Sequence, residues 1–383
     1  MCSRRPRARN LSALAALAAL LAGLWATTGA ARAVTLVPPK QRVFLGVSDK
    51  GTAEDFYEFA DLVGKRPPLL ETFHPWGNSL NNAYRRWQET ATRPILHIST
   101  FDDQTLRELI TPRQIALGAG DDYLLQLNDF LAKRALRIYI RPLGEPNRCL
   151  NPYSAVNCDG SKKGGDHATL WYKQAFRRIV TIVRGGGDLA TIDSILAGIG
   201  LPPVKRSKGP APKFLPPALT SFIWSPLPAG SPRAPGNWPG NYWPGGRWVD
   251  WVGTDFYSQY PHWRDLNRFF YQRRWRRKPF ALTELAVAGE DDPRFIKRLV
   301  AWTVRRSRVR MFVYYRGFGT ADNPYQLGFY PRTTNTLRRK IRRNSFPPYA
   351  WAHAGTLAPL PTRAEERAKE KAEKKAEREA AQQ

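Results

Sequence analysis

Two glutamates each close an apolar run: Glu145 in RPLGEPN, which follows LRIYI, and Glu284 in KPFALTE. A protonated carboxyl and an ionised one can together break a glycosidic bond, the acid protonating the leaving oxygen while the carboxylate attacks the sugar carbon. Tyr257, at the end of VDWVGTDFY, adds a hydroxyl, and Arg141 and Asn147 flank Glu145. Each residue also has a plainer reading. A glutamate at a strand end can cap the next helix or pair with a nearby arginine, here Arg141, and a terminal aromatic can simply pack. The five histidines are dispersed without zinc-type spacing, and no Ser-His-Asp order stands out. No metal or cofactor is expected.

The elements that must position these groups are short apolar runs alternating with helical patterns. Eight runs read as strands: Val43–Ser48, Leu69–Phe73, Ile95–Ser99, Arg137–Leu143, Ser221–Pro226, Trp251–Tyr257, Phe280–Ala286 and Met311–Arg316. Between them, TAEDFYEFADLVG, SLNNAYRRWQE, DYLLQLNDFLAKRA, ATLWYKQAFRRIVTIV, LNRFFYQRRW and DPRFIKRLVAWTVRR have helical spacing. The first opens with a Thr and an acid close to a capping box. Continuous apolar strands separated by helices predict a parallel sheet, and eight of them predict a single (β/α)₈ TIM barrel in the α/β class over residues 34–355. A doubly wound open sheet is the alternative, but it seldom needs eight strands and usually carries a Gly-rich phosphate turn after an early one. RGGGD, Arg184–Asp188, follows a helix instead. In a barrel the carboxyl ends of the strands carry the chemistry, and both glutamates are expected there.

Two long loops interrupt the alternation. Residues 185–217 read as a surface insertion in which TIDSILAG makes one short helix. Residues 228–248 concentrate Trp238, Tyr242, Trp243 and Trp248 among Gly and Pro, either to line a glycan cleft or to plug a loop that lacks a core; Trp76 in FHPWGN is a further stacking candidate.

The chain of 383 residues is 42% hydrophobic, enough for a large core. Its start, MCSRRPRARN, is basic and leads into an apolar run, Leu11–Trp25, too short to span a membrane, and then into Ala31-Arg32-Ala33. Residues 1–33 therefore read as a signal peptide, and the mature chain as secreted, periplasmic or envelope-associated. Of three cysteines, Cys149 and Cys158 remain after its removal, and in an exported chain they point to a disulfide, two free thiols being the alternative. The formal net charge is +28. Such a field attracts polyanions, and in an exported protein anionic lipid headgroups or acidic cell-envelope polymers fit better than specific nucleic-acid binding. Residues 361–383 form a charge-balanced tail, helical or disordered. A monomer is expected.

Taken in order, RPLGEPN, SFIWSP, VDWVGTDFYSQY and KPFALTE resemble glycoside hydrolase family 26, which includes β-mannanases, within the clan of retaining (β/α)₈ hydrolases. The resemblance runs from Phe44 to Gly319. It implies that Glu145 is proton donor and general base, that Glu284 is the nucleophile, and that Tyr257 orients it. Arg141, Asn147, Trp76, Trp238, Trp243, Trp248 and Tyr315 would then bind a polysaccharide substrate. Family members commonly carry His directly before the acid/base, where this chain has Gly144.

Overall fold

The structure, a computed structural model, describes residues 35–102, 104–207, 209–210, 212–317, 324–342 and 345–346. The expected leader and C-terminal tail lie outside the described residues.

Eight parallel strands close into a barrel in chain order: β1 (Phe44–Ser48), β2 (Leu69–Pro75), β3 (Arg93–Ser99), β4 (Ile138–Pro142), β5 (Thr220–Trp224), β6 (Trp251–Tyr257), β7 (Phe280–Ala286) and β8 (Val309–Tyr314), with β8 returning to β1. Each strand is buried on both faces, against helices outside and against the other strands inside, which is why none shows simple polar alternation. This is the expected (β/α)₈ fold.

The helices are α1 (Glu54–Val63), α2 (Asn81–Glu89), α3 (Pro112–Ala116), α4 (Asp121–Lys133), α5 (Thr169–Arg184), α6 (Leu189–Ala197), α7 (Trp263–Phe270), α8 (Pro293–Val304) and α9 (Pro331–Ile341). At α1 the reciprocal pair is Thr52 with Asp55: Asp55 N donates to Thr52 Oγ1 at 3.4 Å and Thr52 Oγ1 to Asp55 Oδ2 at 3.2 Å. The insertion carries α6, as TIDSILAG suggests, and is tied down by a two-residue antiparallel ladder between Gly187–Asp188 and Phe214–Leu215.

Three helices differ from expectation. The short α3 is fixed by a capping box between Thr111 and Gln114. The Thr- and Arg-rich α9 lacks a strong apolar signature, yet Arg332 N and Thr333 N donate to Asp291 and Arg338 grips the Leu62 carbonyl at 2.9 Å. And α7 begins at Trp263, not Leu266, and stops at Phe270. The chain then turns so that Trp275 packs 5.0 Å from Trp224, its Nε1 donating to Phe269 O at 2.9 Å.

Inside the barrel lie two layers. The lower is apolar: Phe44, Leu69, Ile95, Tyr139, Ile223, Trp251, Ala281, Met311 and Val313, closed underneath by Leu36. Leu36 stoppers the barrel through its backbone, N donating to Ser221 Oγ at 3.3 Å and O accepting from Tyr139. Two residues further along β2, β3 and β4, the same inward period brings in Glu71, His97 and Arg141, and the upper layer becomes ionic.

Candidate active site

Arg141 is the hub of the upper layer. Wholly buried, it spreads its guanidinium over three carboxylates and a hydroxyl: Nη1 to Glu71 Oε1 at 3.1 Å and to Glu284 Oε1, Nη2 to Asp255, and Nε to Ser225 Oγ at 2.6 Å. Burial works against its charge, but the surrounding carboxylates outweigh that and hold the cation firmly. One cation among three buried acids cannot keep all of them ionised. Burial, reinforced by the Glu284 charge, lifts Asp255 well above the ordinary carboxylate range and Glu71 to about 8, so Glu71 holds a proton near neutral pH.

Glu284 points inward because of an irregularity in strand pairing. Leu282 pairs with Thr254, but Glu284 pairs with Asp255, so the register slips by one residue. Such a slip re-aims side chains, and Thr283 and Glu284 both face the interior. Thr283 Oγ1 donates to Asp255 Oδ1 at 2.7 Å, and the Tyr257 hydroxyl donates to Glu284 Oε2 at 2.5 Å. With Arg141 on its other oxygen, Glu284 has a donor on each oxygen.

Glu145 is held differently. It and Leu143 adopt left-handed backbone conformations, φ 49° and 52°, on either side of Gly144. Non-glycine residues adopt these at a cost of about 1–3 kcal/mol each and persist in them only where the surroundings fix the backbone. Here they do. Glu145 N donates to Ser225 O at 2.8 Å, Asn151 Nδ2 donates to Glu145 O at 2.9 Å, and Tyr153 donates its hydroxyl to Gly144 O at 2.6 Å. A disulfide joins Cys149 and Cys158, with Cα atoms 5.0 Å apart, and closes this loop as expected.

A Cβ on residue 144 would lie 2.9 Å from both Arg141 Nη2 and His97 Nε2, which explains the glycine. The space beside Glu145 belongs to His97 from β3, whose Nε2 accepts from Gly144 N at 3.3 Å. Burial, followed by the Arg141 charge, pushes His97 well below its usual range, so the ring is neutral with its proton on Nδ1.

Glu145 and Glu284 line one cavity of about 500 Å³ together with Asp255, Tyr257, Tyr315 and Tyr325. The carboxylate of Glu145 pairs with Arg148 at 3.0 Å, and Arg141 pairs instead with the acids beneath. Of the expected site residues, the structure brings Glu145, Glu284, Tyr257 and Tyr315 together, with Arg141 among the acids below them.

The others stand elsewhere, which corrects the expectation of a tryptophan-lined cleft. Trp76 packs on Tyr123 at 4.9 Å, and Trp243 packs on Trp224 at 4.8 Å. Trp248 lies under Arg177 at 4.8 Å, and Trp238 carries Arg268 at 5.0 Å on a separate surface hollow. Trp76, Trp243 and Trp248 fill loops, the plainer of the two readings, whereas Trp238 stays exposed on its hollow. Asn147 is wholly buried, and its side chain ties down the loop after β5 through Leu227 and Ala229.

Sequence reading missed Glu71, His97, Asp255, Ser225 and Arg148. A signal existed for the first three: each is a single ionisable residue inside an otherwise apolar strand, in LLETF, ILHIS and WVGTDFY. Glu71, His97 and Glu284 bring potential metal-ligating atoms within 4.8 Å of one another. Both of those carboxylates already face the Arg141 guanidinium, so their cation is the arginine.

No sequence-family profile matches the chain, and no curated relative does. Solved structures do. A GH26 β-mannanase from Bacteroides ovatus superposes with TM-score 0.54 at 15% identity, over 81% of this chain and 91% of that one. A Bacillus subtilis mannanase gives 0.52 at 14% identity, over 86% and 94%. The chain has a GH26-like fold, a closed barrel of eight parallel strands with its acidic groups gathered at their carboxyl ends.

Proposed function

We propose that the protein is a retaining glycoside hydrolase acting on a β-linked polysaccharide. One observation carries this reading: Glu145 after β4 and Glu284 on β7 open onto the same cavity, with Tyr257 donating to Glu284. The mannanases named above share the fold and add support for sugar chemistry. Glu145 protonates the glycosidic oxygen as Glu284 attacks the anomeric carbon. Water activated by Glu145 then releases the glycosyl-enzyme ester. Tyr257 and Arg141 fix the rotamer of Glu284, and when its charge is lost in the ester, Arg141 keeps its contacts with Glu71 and Asp255. Tyr315 and Tyr325 offer faces for the sugar.

The Arg148 ion pair on Glu145 favours a second reading, a barrel that binds extracellular or envelope glycans with little turnover, because a guanidinium competes with the proton that a general acid must carry. Wild type, Glu284→Gln and Glu145→Gln assayed for reducing ends on β-mannan, β-glucan and xylan separate the two. Hydrolysis by wild type is expected to fall on the order of 10⁴-fold in Glu284→Gln and about 10²–10⁴-fold in Glu145→Gln. Unchanged hydrolysis by Glu284→Gln sinks the assignment, and an inactive wild type that still binds glycan supports the second reading.

Export belongs to the same proposal, with residues 1–33 removed. Among the described residues no helix is long and apolar enough to cross a membrane. The mass of the mature secreted chain, starting at Val34, tests it.

A further inference from the structure

Arg148 stands at the cavity beside Glu145. Its Nη1 donates to Glu145 Oε2 at 3.0 Å, its side chain stays 43% exposed, and Glu145 is its one side-chain partner among the described residues. A guanidinium presents five N–H donors in a planar fork that matches a two-oxygen anion, so most of this fork is uncommitted. Arg233 reaches the same cavity from the loop after β5, bound to Asp265 and 44% exposed. The two loops are stitched together, Ser231 N donating to Asn147 O at 2.8 Å and Cys149 N to Ser231 O at 2.7 Å. The exposed His262 lines the same side.

The acids of the cavity are already engaged. Asp255 and Glu284 are bound to Arg141, and Glu145 to Arg148. What remains for an incoming ligand is a cationic rim above a largely neutralised floor.

A neutral sugar gives Arg148 nothing in exchange for Glu145. An anion on the sugar takes the guanidinium through two parallel hydrogen bonds and leaves Glu145 Oε2 open to a proton. We propose that the cavity takes an acidic β-glycan whose carboxylate, or ester-linked sulfate or phosphate, draws Arg148 off Glu145. This rests on the glycosidase reading, with Arg148 acting as a positioning residue for Glu145. The net charge of +28, of which the five arginines of residues 1–33 supply +5 and the rest stays on the mature chain, acts in the same direction, concentrating polyanions near the molecule.

The test uses one β-linked polyuronate in two forms, native and carboxyl-reduced, with a sulfated and a phosphorylated neutral β-glycan as further arms. Calorimetric binding is read on Glu284→Gln, so that it needs no turnover. The native oligosaccharide, or an ester-bearing one, is expected to bind at least about 10-fold tighter than the reduced one, and Glu284→Gln/Arg148→Gln to lose that preference. In hydrolysis, Arg148→Gln should lose roughly 10²-fold on the acidic substrate and gain on the reduced one, because Glu145 is then free of its guanidinium partner, a split that a merely structural role does not produce.

Whichever arm shows the preference identifies the anion and supports the proposal. Equal binding of every charged glycan and its neutral counterpart overturns it, even if neutral glycans are cleaved. Selective, Arg148-dependent binding of an acidic glycan that wild type fails to cleave upholds anion recognition and overturns the glycosidase reading instead.

Discussion

The two layers of the barrel interior are built from the same strands, two residues apart on β2, β3 and β4, and obey opposite rules. In the lower one Leu69, Ile95, Tyr139 and Trp251 bury apolar surface with little polar burden. In the upper one Glu71, His97 and Arg141 occupy the next inward positions, Asp255 stands four residues beyond Trp251, and these ionisable groups are buried where desolvation offsets much of the attraction between partners. The lower layer therefore contributes stability and the upper one consumes some of it. What the ionic layer does in this structure is hold Glu284, through Arg141 and Tyr257, in one orientation at the cavity floor.

The largest effect that separates the layers is at the hub. Arg141→Met leaves Glu284 and its buried acidic neighbours Glu71 and Asp255 without their cation and is expected to cost about 3–5 kcal/mol in urea unfolding. Neutralising the acids as well, in Arg141→Met/Glu71→Gln/Asp255→Asn, should recover most of that stability and none of the glycan hydrolysis. Recovery of hydrolysis together with stability would break the distinction. Below, Ile95→Ala removes buried methyl groups and should cost about 2–5 kcal/mol. Its kcat per folded molecule should match wild type, and a large fall in kcat would mean that the layers are not separable.

The smallest effect sharpens the contrast through pH. Glu71 sits at about 8 in the folded chain, against an ordinary value of 4.5. Between those values the folded state holds a proton that the unfolded chain has released, so this contribution is complete below about pH 4.5 and is lost as pH rises through 8. Glu71→Gln is neutral throughout and should flatten the fall in Tm between pH 5 and 9 by a few degrees. The wild-type slope in the variant would contradict a protonated Glu71.

Much of this was legible in the sequence, for physical reasons. Strands buried on both faces read as unbroken apolar runs, so all eight were visible, and RPLGEPN and KPFALTE marked the strand ends that meet at the cavity. The ionic layer was harder to see. Glu71 and His97 look like isolated polar intrusions until closure of the barrel brings β2, β3, β4, β6 and β7 around one arginine. The inward aim of Glu284 depends on a register slip, and simple alternation from Ala281 and Thr283 would have turned Leu285 inward in its place. The tryptophans misled because a ring among glycines and prolines looks the same whether it lines a cleft or plugs a loop. Composition does not record which side of the loop it faces.

The central claim is that Glu145 and Glu284 act as a retaining pair across one cavity. Proton NMR of the first reducing ends released from a β-linked substrate tests it most directly, before mutarotation mixes the anomers. The account predicts that the β-anomer appears first, with the α-anomer growing in later; initial release of the α-anomer would show inversion and contradict it.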